Sequence, residues 1–168
     1  MTTSASKAPS AIGDETPAHT TSGKESSEDL DRALLASISA GNRRSIEKLY
    51  ASYCSRLAKF FLELNVRADF IEDLIIDTMV DLWKEGASIG ANVSVSVAIM
   101  RLAYSNGQKH FQQDSHFTLR FEERALLYLV YGCGHSRRDI AGIMKVSSEC
   151  VDLLLGDARR RHLPLSQW

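Results

Sequence analysis

The sequence is poor in the residues that stabilise small secreted domains or hold metal ions. Its three cysteines among 168 residues are Cys54, Cys133 and Cys150. An odd number without paired spacing predicts neither a disulfide framework nor a zinc ribbon. The Cys-x-His pair that ends at His135 could be joined by the distant His110 and His116, but this spacing is weak evidence for a metal site. We therefore expect reduced thiols, no bound metal and no cofactor.

The sequence also lacks long apolar runs and motifs typical of enzymes. No run approaches the ~20 apolar residues that cross a membrane, and the N-terminus does not have the pattern of a secretory signal. We expect a cytoplasmic protein without a membrane partner. A Gly-rich phosphate loop, a nucleophile elbow and a His-x-x-x-His pair are all missing, so we expect no enzymatic activity.

Net charge is close to zero, at −1, so a surface for nucleic acid has to be local. Residues 117–168 hold eight basic and six acidic side chains and form the only basic third of the chain. The first 26 residues are rich in Ser, Thr, Ala, Gly and Pro and hold almost no large apolar side chains. They cannot bury enough surface to offset the entropy of ordering them, so we predict a disordered tail over residues 1–28.

The strongest helical periodicity lies between Ala68 and Gly86. Its predicted core face consists of Ile71, Leu74, Ile75, Thr78, Met79, Leu82 and Trp83. The opposite face carries an acidic row, which consists of Asp69, Asp73, Asp77 and Asp81. Like charges at i,i+4 spacing cost a few tenths of a kcal/mol per pair. Ile76 and Val80 lie beside the row, so this face has the composition of a docking surface for a basic partner, although an ordinary solvated face has similar periodicity.

Two helices precede this stretch and one follows it. The first is predicted to begin near Asp29, with Ser26 as its N-cap and Leu30, Ala33, Leu34, Ser37 and Ile38 facing inward. Asn42 is predicted to cap the second helix, whose predicted buried stripe consists of Ile46, Leu49, Tyr50, Tyr53, Leu57, Phe60, Phe61 and Leu64. Residues 93–99 alternate as a strand would. They also fit a helix, and because a lone strand would have no partner in this chain, we predict a helix there.

The last part of the chain has the layout of a helix-turn-helix. Ser136 and Asp139 have capping-box spacing, a short turn follows at residues 145–147, and Ser148 is predicted to cap the last helix. The predicted fold is therefore all-α. A helical bundle at residues 29–113 is joined by a short linker, residues 114–118, to a helix-turn-helix domain at residues 119–168.

Several of these stretches resemble extracytoplasmic-function (ECF) sigma factors. EDLIIDTMVDLW, residues 72–83, is similar to the family's helix that docks on the clamp of core RNA polymerase. SRRDIAGIMKVSSECVDLLLGDARRRHL, residues 136–163, resembles the family's domain for the minus-thirty-five promoter element. The resemblance implies that the chain binds core polymerase and promoter DNA, and that an anti-sigma factor is a possible partner. The polymerase-binding residues it implies are Asp69, Asp73, Ile76, Asp77, Val80 and Asp81.

The resemblance is weaker at positions that would meet DNA. The DNA-binding candidates are Arg101, Lys109, Arg137, Arg138, Ser147, Ser148, Arg159, Arg160 and Arg161. Ala98 and Ser105 stand where the family has tryptophan and asparagine. Glu149, Asp152 and Asp157 stand on the last helix where the family has glycine, lysine and arginine, so groups that phosphate repels replace phosphate contacts. We therefore expect this domain to bind duplex DNA weakly.

Two functions remain open at this stage. The first is an ECF-type sigma factor that directs polymerase to promoters. The alternative is a degenerate sigma-like interaction module that binds an anti-sigma factor or polymerase without reading promoters. About nine residues, 110–118, join the two domains and span roughly 30 Å at most. The domains would therefore either straddle a promoter with a taut linker or pack together in a closed form that hides DNA-facing surface.

Overall fold

The computed structural model describes residues 21–90, 92–111 and 119–162, and every regular element within these ranges is helical. The seven α-helices are α1 (Thr21–Ser39), α2 (Arg43–Glu63), α3 (Ala68–Glu85), α4 (Val95–His110), α5 (Phe121–Leu127), α6 (Arg137–Met144) and α7 (Ser148–His162). The all-α prediction is thus confirmed. The predicted linker at residues 114–118 and the first 20 residues of the predicted tail lie outside the described residues.

Helix α1 begins eight residues earlier than predicted, at Thr21 instead of Asp29. Ser26 is therefore within the helix and is not its N-cap. The reason lies in contacts distant in sequence. The carboxylate of Glu28 accepts a hydrogen bond from the backbone N–H of Val95 (2.7 Å), and Arg32 donates to the carbonyl of Val93 (2.6 Å). These two bonds fix the first half of α1 to the start of α4.

The predicted inward face of α1 was also partly wrong. Leu30 is 62% exposed, while Asp31, Leu35 and Ile38 are the buried residues between positions 27 and 39, where side-chain burial is described. Asp31 can be buried because the hydroxyl of Tyr53 on α2 donates a hydrogen bond to its carboxylate (2.5 Å). A satisfied polar group costs little to bury, and this bond rotates α1 so that Leu30 faces outward.

Helices α2 and α3 follow the predicted patterns closely. The side chain of Asn42 accepts from the N–H of Arg44 (3.1 Å) and caps α2 as predicted. On α3 the predicted core face is buried from Ile71 to Leu82, and only Trp83 at its end is exposed. The hydroxyl of Thr78, the one polar residue of that face, donates to the carbonyl of Leu74 (2.7 Å).

Residues 95–110 form helix α4, which confirms the helical prediction over the strand. Ser94 caps it by accepting from the N–H of Val97 (3.1 Å). Gly107 lies where α4 approaches α2, and a Cβ there would be 3.2 Å from Leu64 and 3.3 Å from Phe61. A larger residue at this point would push the two helices apart. α1 to α4 form the N-terminal unit.

Helices α5 to α7 form the C-terminal unit. α5 ends at Leu127, where the chain continues as a π-helical turn, Tyr128–Gly132. The capping box of Ser136 and Asp139 is present as predicted. Lys145 adopts a left-handed conformation (φ 56°) that ends α6, and α7 follows, so the helix-turn-helix layout is confirmed. Ser147 caps α7, instead of Ser148, by accepting from the N–H of Cys150 (3.2 Å).

The two units share one hydrophobic core. α4 packs against α6, and α2 packs against α5. Buried side chains of α2, such as Phe60 and Leu64, belong to the same cluster as Leu126 and Ile140 of the C-terminal unit. Of the two arrangements that the short linker left open, the structure has the closed one. None of the described helices is both long and apolar enough to cross a membrane.

Candidate functional site

The acidic row lies along the outer face of α3, and its four carboxylates have different surroundings. Asp69, at the start of the helix, is paired with Arg67 (2.5 Å). Asp81, at the other end, accepts from the side-chain amide of Asn106 (3.0 Å) and lies 3.7 Å from the ammonium group of Lys84.

The two central carboxylates of the row, Asp73 and Asp77, have no such partners. Both are exposed and form neither an ion pair nor a side-chain hydrogen bond within the described part of the chain. They lie one helical turn apart, so their mutual repulsion is not offset within the molecule. The centre of the row is therefore where a cationic group of a partner would gain most.

An apolar groove of about 550 Å³ runs beside the acidic row, between α2 and α3. We call it the α2–α3 groove. Its lining residues are Arg43, Ile46, Glu47, Tyr50, Ile76, Met79, Val80, Trp83 and Lys84. Ile76 and Val80, predicted as part of the docking surface, are 46% and 42% exposed and form one wall. Because Ile76 also borders a depression next to Asp73 and Asp77, groove and acidic centre form one continuous surface.

Sequence periodicity missed half of this groove. Tyr50 was predicted to lie in the core with the buried stripe of α2, and Trp83 with that of α3. Both are exposed at the groove instead. A period of 3.6 shows which residues share a helix face, but it does not show whether two neighbouring apolar faces meet fully or leave a gap between their edges.

Helix α4 carries two of the DNA-binding candidates. Arg101 is half-buried. Lys109 is exposed at the end of the helix, where its ammonium group donates to the side-chain oxygen of Asn106 (3.0 Å).

In the C-terminal unit most of the cationic candidates are already paired within the molecule. Arg137 forms an ion pair with Asp152 (2.8 Å), Arg160 with Asp157, and Arg161 with Glu123 (2.6 Å). The guanidinium group of Arg159 donates to the hydroxyl of Tyr131 (2.7 Å) and lies over its ring. Among the arginine candidates of this unit, Arg138 alone forms neither an ion pair nor a side-chain hydrogen bond with a described residue.

The exposed face of α7 is not cationic. Leu153 at its centre is 73% exposed, and Asp152 and Glu149 lie on the same side. Bonding to its own backbone N–H and to the hydroxyl of Ser147 lowers the pKa of Glu149 below its usual value, so this carboxylate is ionised at neutral pH. A phosphate that approached the start of α7 would meet a negative charge.

Metal binding finds no support in the geometry. Within the described ranges, no group of three His, Cys, Asp or Glu side chains is arranged to hold a metal ion. His135 and Cys133 lie near the end of the π-helical turn, while His110 is stacked near the ring of Phe70 on α3 (5.8 Å between ring centroids). His116 lies outside the described residues.

Comparison with known proteins finds similar structures but no similar sequence. No protein-family model and no curated protein matches the sequence. Among solved structures, CnrH in complex with the cytosolic domain of CnrY superimposes with a TM-score of 0.69 and 21% identity, over 79% of this chain and 94% of that one. CnrH is an ECF sigma factor. This chain has the fold of an ECF sigma factor.

A second solved structure supports the same fold. The sigma factor RpoE of Bartonella quintana, in complex with the anti-sigma factor NepR, superimposes with a TM-score of 0.56 and 17% identity. The match covers 68% of this chain and 92% of that one. The three chains thus share a sigma-like fold, although only about one residue in five is identical.

Proposed function

We propose that the protein is an ECF-type sigma factor that binds core RNA polymerase and directs it to promoters in the cytoplasm. The observation that carries this proposal is the exposed surface of α3 in a sigma-like fold. There, Asp73 and Asp77 lack partners within the described chain and lie beside the apolar α2–α3 groove. An unpaired acidic centre next to an apolar groove fits a partner helix with one basic and one apolar edge.

The docking surface combines two contributions. Apolar side chains of the partner that enter the α2–α3 groove would bury Ile76, Val80 and Trp83, at about 25 cal/mol per Å² of apolar surface. Basic side chains opposite Asp73 and Asp77 would fix the register and speed the encounter. We propose the clamp of the polymerase core as this partner.

Charge reversal tests the assignment. Asp73→Arg combined with Asp77→Arg should abolish co-purification with core polymerase, because two attractive charges at the centre of the surface become repulsive. Circular dichroism should show unchanged helicity, since both side chains are exposed.

The matched control is Asp29→Arg combined with Glu85→Arg. It changes the net charge equally at exposed acids outside the docking surface, and it should leave co-purification intact. If Asp73→Arg combined with Asp77→Arg still binds polymerase as well as the unmodified protein, the acidic centre of α3 is not the polymerase contact.

An anti-sigma factor is the second partner that we propose. RpoE, which shares the fold, is in complex with the anti-sigma factor NepR. The exposed groove and acidic centre on α3 offer such a regulator a surface that it could occupy in competition with polymerase.

A second candidate function is a sigma-like interaction module that binds polymerase or an anti-sigma factor without reading promoters. One observation favours it. Arg137, Arg160 and Arg161 are each paired with a carboxylate of the same unit, so few free cations remain for phosphate. Genome-wide mapping of transcription start sites after induced expression separates the two functions. New start sites support the sigma factor, whereas polymerase binding without new start sites supports the interaction module.

A further inference from the structure

Helix α4 is buried on two sides. Val95, Ile99 and Leu102 lie on the face that packs in the N-terminal unit. A second face, about 165° around the helix, carries Val97, Met100 and Tyr104, at i, i+3 and i+7. These three residues are all less than 10% exposed.

The C-terminal unit covers this second face. α6 packs along α4, and the ring of Phe121, the first residue of α5, lies 5.3 Å from the ring of Tyr104. If the C-terminal unit moved away, the ring of Tyr104 would lose its contact with Phe121 and become exposed to water. Because burial of an apolar side chain of this size stabilises the closed state, the free chain keeps this face covered.

A second set of contacts fixes the C-terminal unit to α2. The ring of Tyr128 lies 5.6 Å from that of Phe60, and its hydroxyl donates to the carbonyl of Arg56 (3.3 Å). The guanidinium group of Arg124 donates to the carbonyl of Glu63 (2.9 Å). These contacts join aromatic rings or end on backbone carbonyls, so the inter-unit interface depends little on ion pairs that salt would screen.

The two candidate surfaces therefore have opposite accessibility in the same conformation. The acidic centre and the α2–α3 groove lie on the outer side of α3 and stay exposed. The second face of α4 is closed by the protein itself. Any partner that needs this face has to compete with the C-terminal unit of the same chain.

We propose that the free protein is self-inhibited: its C-terminal unit covers α4 while the outer face of α3 remains open. The chain then docks on polymerase through α3 first and releases α4 only afterwards. The closed state stands on the contacts above, whereas the order of docking rests on the proposed function. If the covered state holds 99% of the molecules, a partner of α4 binds about 100-fold more weakly than it would bind the open form.

A native thiol reports on the closed state. Burial raises the pKa of the Cys133 thiol, while the Arg56 guanidinium from α2 acts in the opposite direction. Opening the interface would remove both effects, and since burial is the larger, the thiol would become more acidic and more accessible. Alkylation of Cys133 should therefore be slow in the full-length protein and fast after opening, with Cys54 and Cys150 as internal references.

Tyr104→Lys is the variant that should open the interface. Lysine at this position is solvated when the units are apart, but it would place a charge against Phe121 when they are closed. We expect alkylation of Cys133 to accelerate by at least about tenfold, measured by peptide mass spectrometry, while Cys54 keeps its rate. Leu153→Lys, which introduces the same charge at an exposed leucine of the C-terminal unit, is the matched control and should change nothing.

A second variant keeps the experiment decisive if Tyr104→Lys does not fold. Insertion of about 20 Gly and Ser residues after Gln113 lowers the effective concentration of one unit near the other, and it should also accelerate alkylation of Cys133. If Cys133 reacts as fast as Cys150 in the unmodified protein, and neither variant alters its rate, the closed state does not exist in solution.

Polymerase assays then test inhibition and the order of docking. The unmodified protein and Tyr104→Lys should co-purify equally with core polymerase, while the variant should yield more transcription start sites after induced expression. Opening without additional start sites would refute self-inhibition. If neither protein binds polymerase while Cys133 still reports opening, the proposed function and the docking order both fail and only the closed state remains.

Discussion

Single side chains decide how the first helix sits on the rest of the molecule. Asp31 and Tyr53 are both buried, and the hydroxyl of one donates to the carboxylate of the other. Burial, followed by the hydrogen bond and the negative charge of Asp31, raises the pKa of Tyr53 above its usual value. The pair satisfies two polar groups that would otherwise be costly to bury.

Tyr53→Phe should destabilise the protein by about 1–3 kcal/mol at neutral pH, because the carboxylate of Asp31 loses its buried donor. The pH dependence has a definite sign. Since the folded pKa of Tyr53 is raised, its contribution is fully present below the unfolded value near 10 and declines as the pH rises above it. Urea unfolding at pH 7 and at about pH 11 measures both effects.

The control for this substitution is Tyr50→Phe, on the same helix but exposed at the α2–α3 groove. It should change the free energy of unfolding by less than about 0.5 kcal/mol. If Tyr53→Phe and Tyr50→Phe lowered the free energy of unfolding equally, the buried hydrogen bond would make no specific contribution to stability. An unchanged alkaline slope in Tyr53→Phe would show that this tyrosine is not the group that titrates.

At the scale of one element, α7 is the second helix of the helix-turn-helix layout, but its charge pattern does not suit DNA binding. Its acids Asp152 and Asp157 neutralise Arg137 and Arg160. A helix that binds duplex DNA would leave these guanidinium groups free for phosphate. The sequence already showed the acids, but the pairing follows from the packing of α6 against α7 and was not visible in the sequence.

Asp152→Lys combined with Asp157→Arg should strengthen duplex binding by the full-length protein. The change releases two arginines and adds two cations, so the slope of log K against log salt should steepen by roughly 0.9 for each new phosphate contact. Fluorescence anisotropy at several salt concentrations measures this. Asp29→Lys with Glu85→Arg is the charge-matched control and should bind as weakly as the unmodified protein, whose salt dependence should be shallow.

The sequence predicted some helices and their buried faces more accurately than others. α3 was predicted well because Ile71 to Leu82 repeat with one helical period and bury one face. α4 was predicted as a helix, but its second buried face was missed, although Val97, Met100 and Tyr104 are apolar in the sequence. A helix that is apolar nearly all round is typical of burial on two sides, and this signal could have revealed the contact with the C-terminal unit.

Other features depend on partners that are distant in the sequence. The early start of α1 requires Glu28 to reach the N–H of Val95, and Arg161 is neutralised by Glu123 from another helix. Local propensity carries no information about such pairs. The acidic row was visible as a pattern, but only the structure shows that its ends are paired while Asp73 and Asp77 are not.

On the scale of the whole molecule, the two predicted domains behave as one packed body. Phe60 of α2, Met100 of α4 and Leu126 of α5 belong to a single core cluster. A core that crosses the boundary between the units couples their unfolding, because neither unit can open without exposing apolar surface of the other.

We therefore expect a single cooperative unfolding transition in urea. Fluorescence of Trp83, in a Trp168→Phe background, reports on the N-terminal unit, and alkylation of Cys133 reports on the C-terminal unit. The midpoints should coincide with that of the helical circular dichroism signal. Two separate midpoints would show that the units unfold independently and that the shared core contributes little.

The aromatic rings on either side of residues 112–118 have one more consequence. The rings of Phe111, at the end of α4, and Phe121, at the start of α5, lie 5.2 Å apart. The ring contact and the covalent connection therefore hold the two units together jointly. A protease that cut between residues 112 and 118 would remove only the covalent connection, so we expect the two fragments to elute as one species in gel filtration at high protein concentration and to separate on dilution.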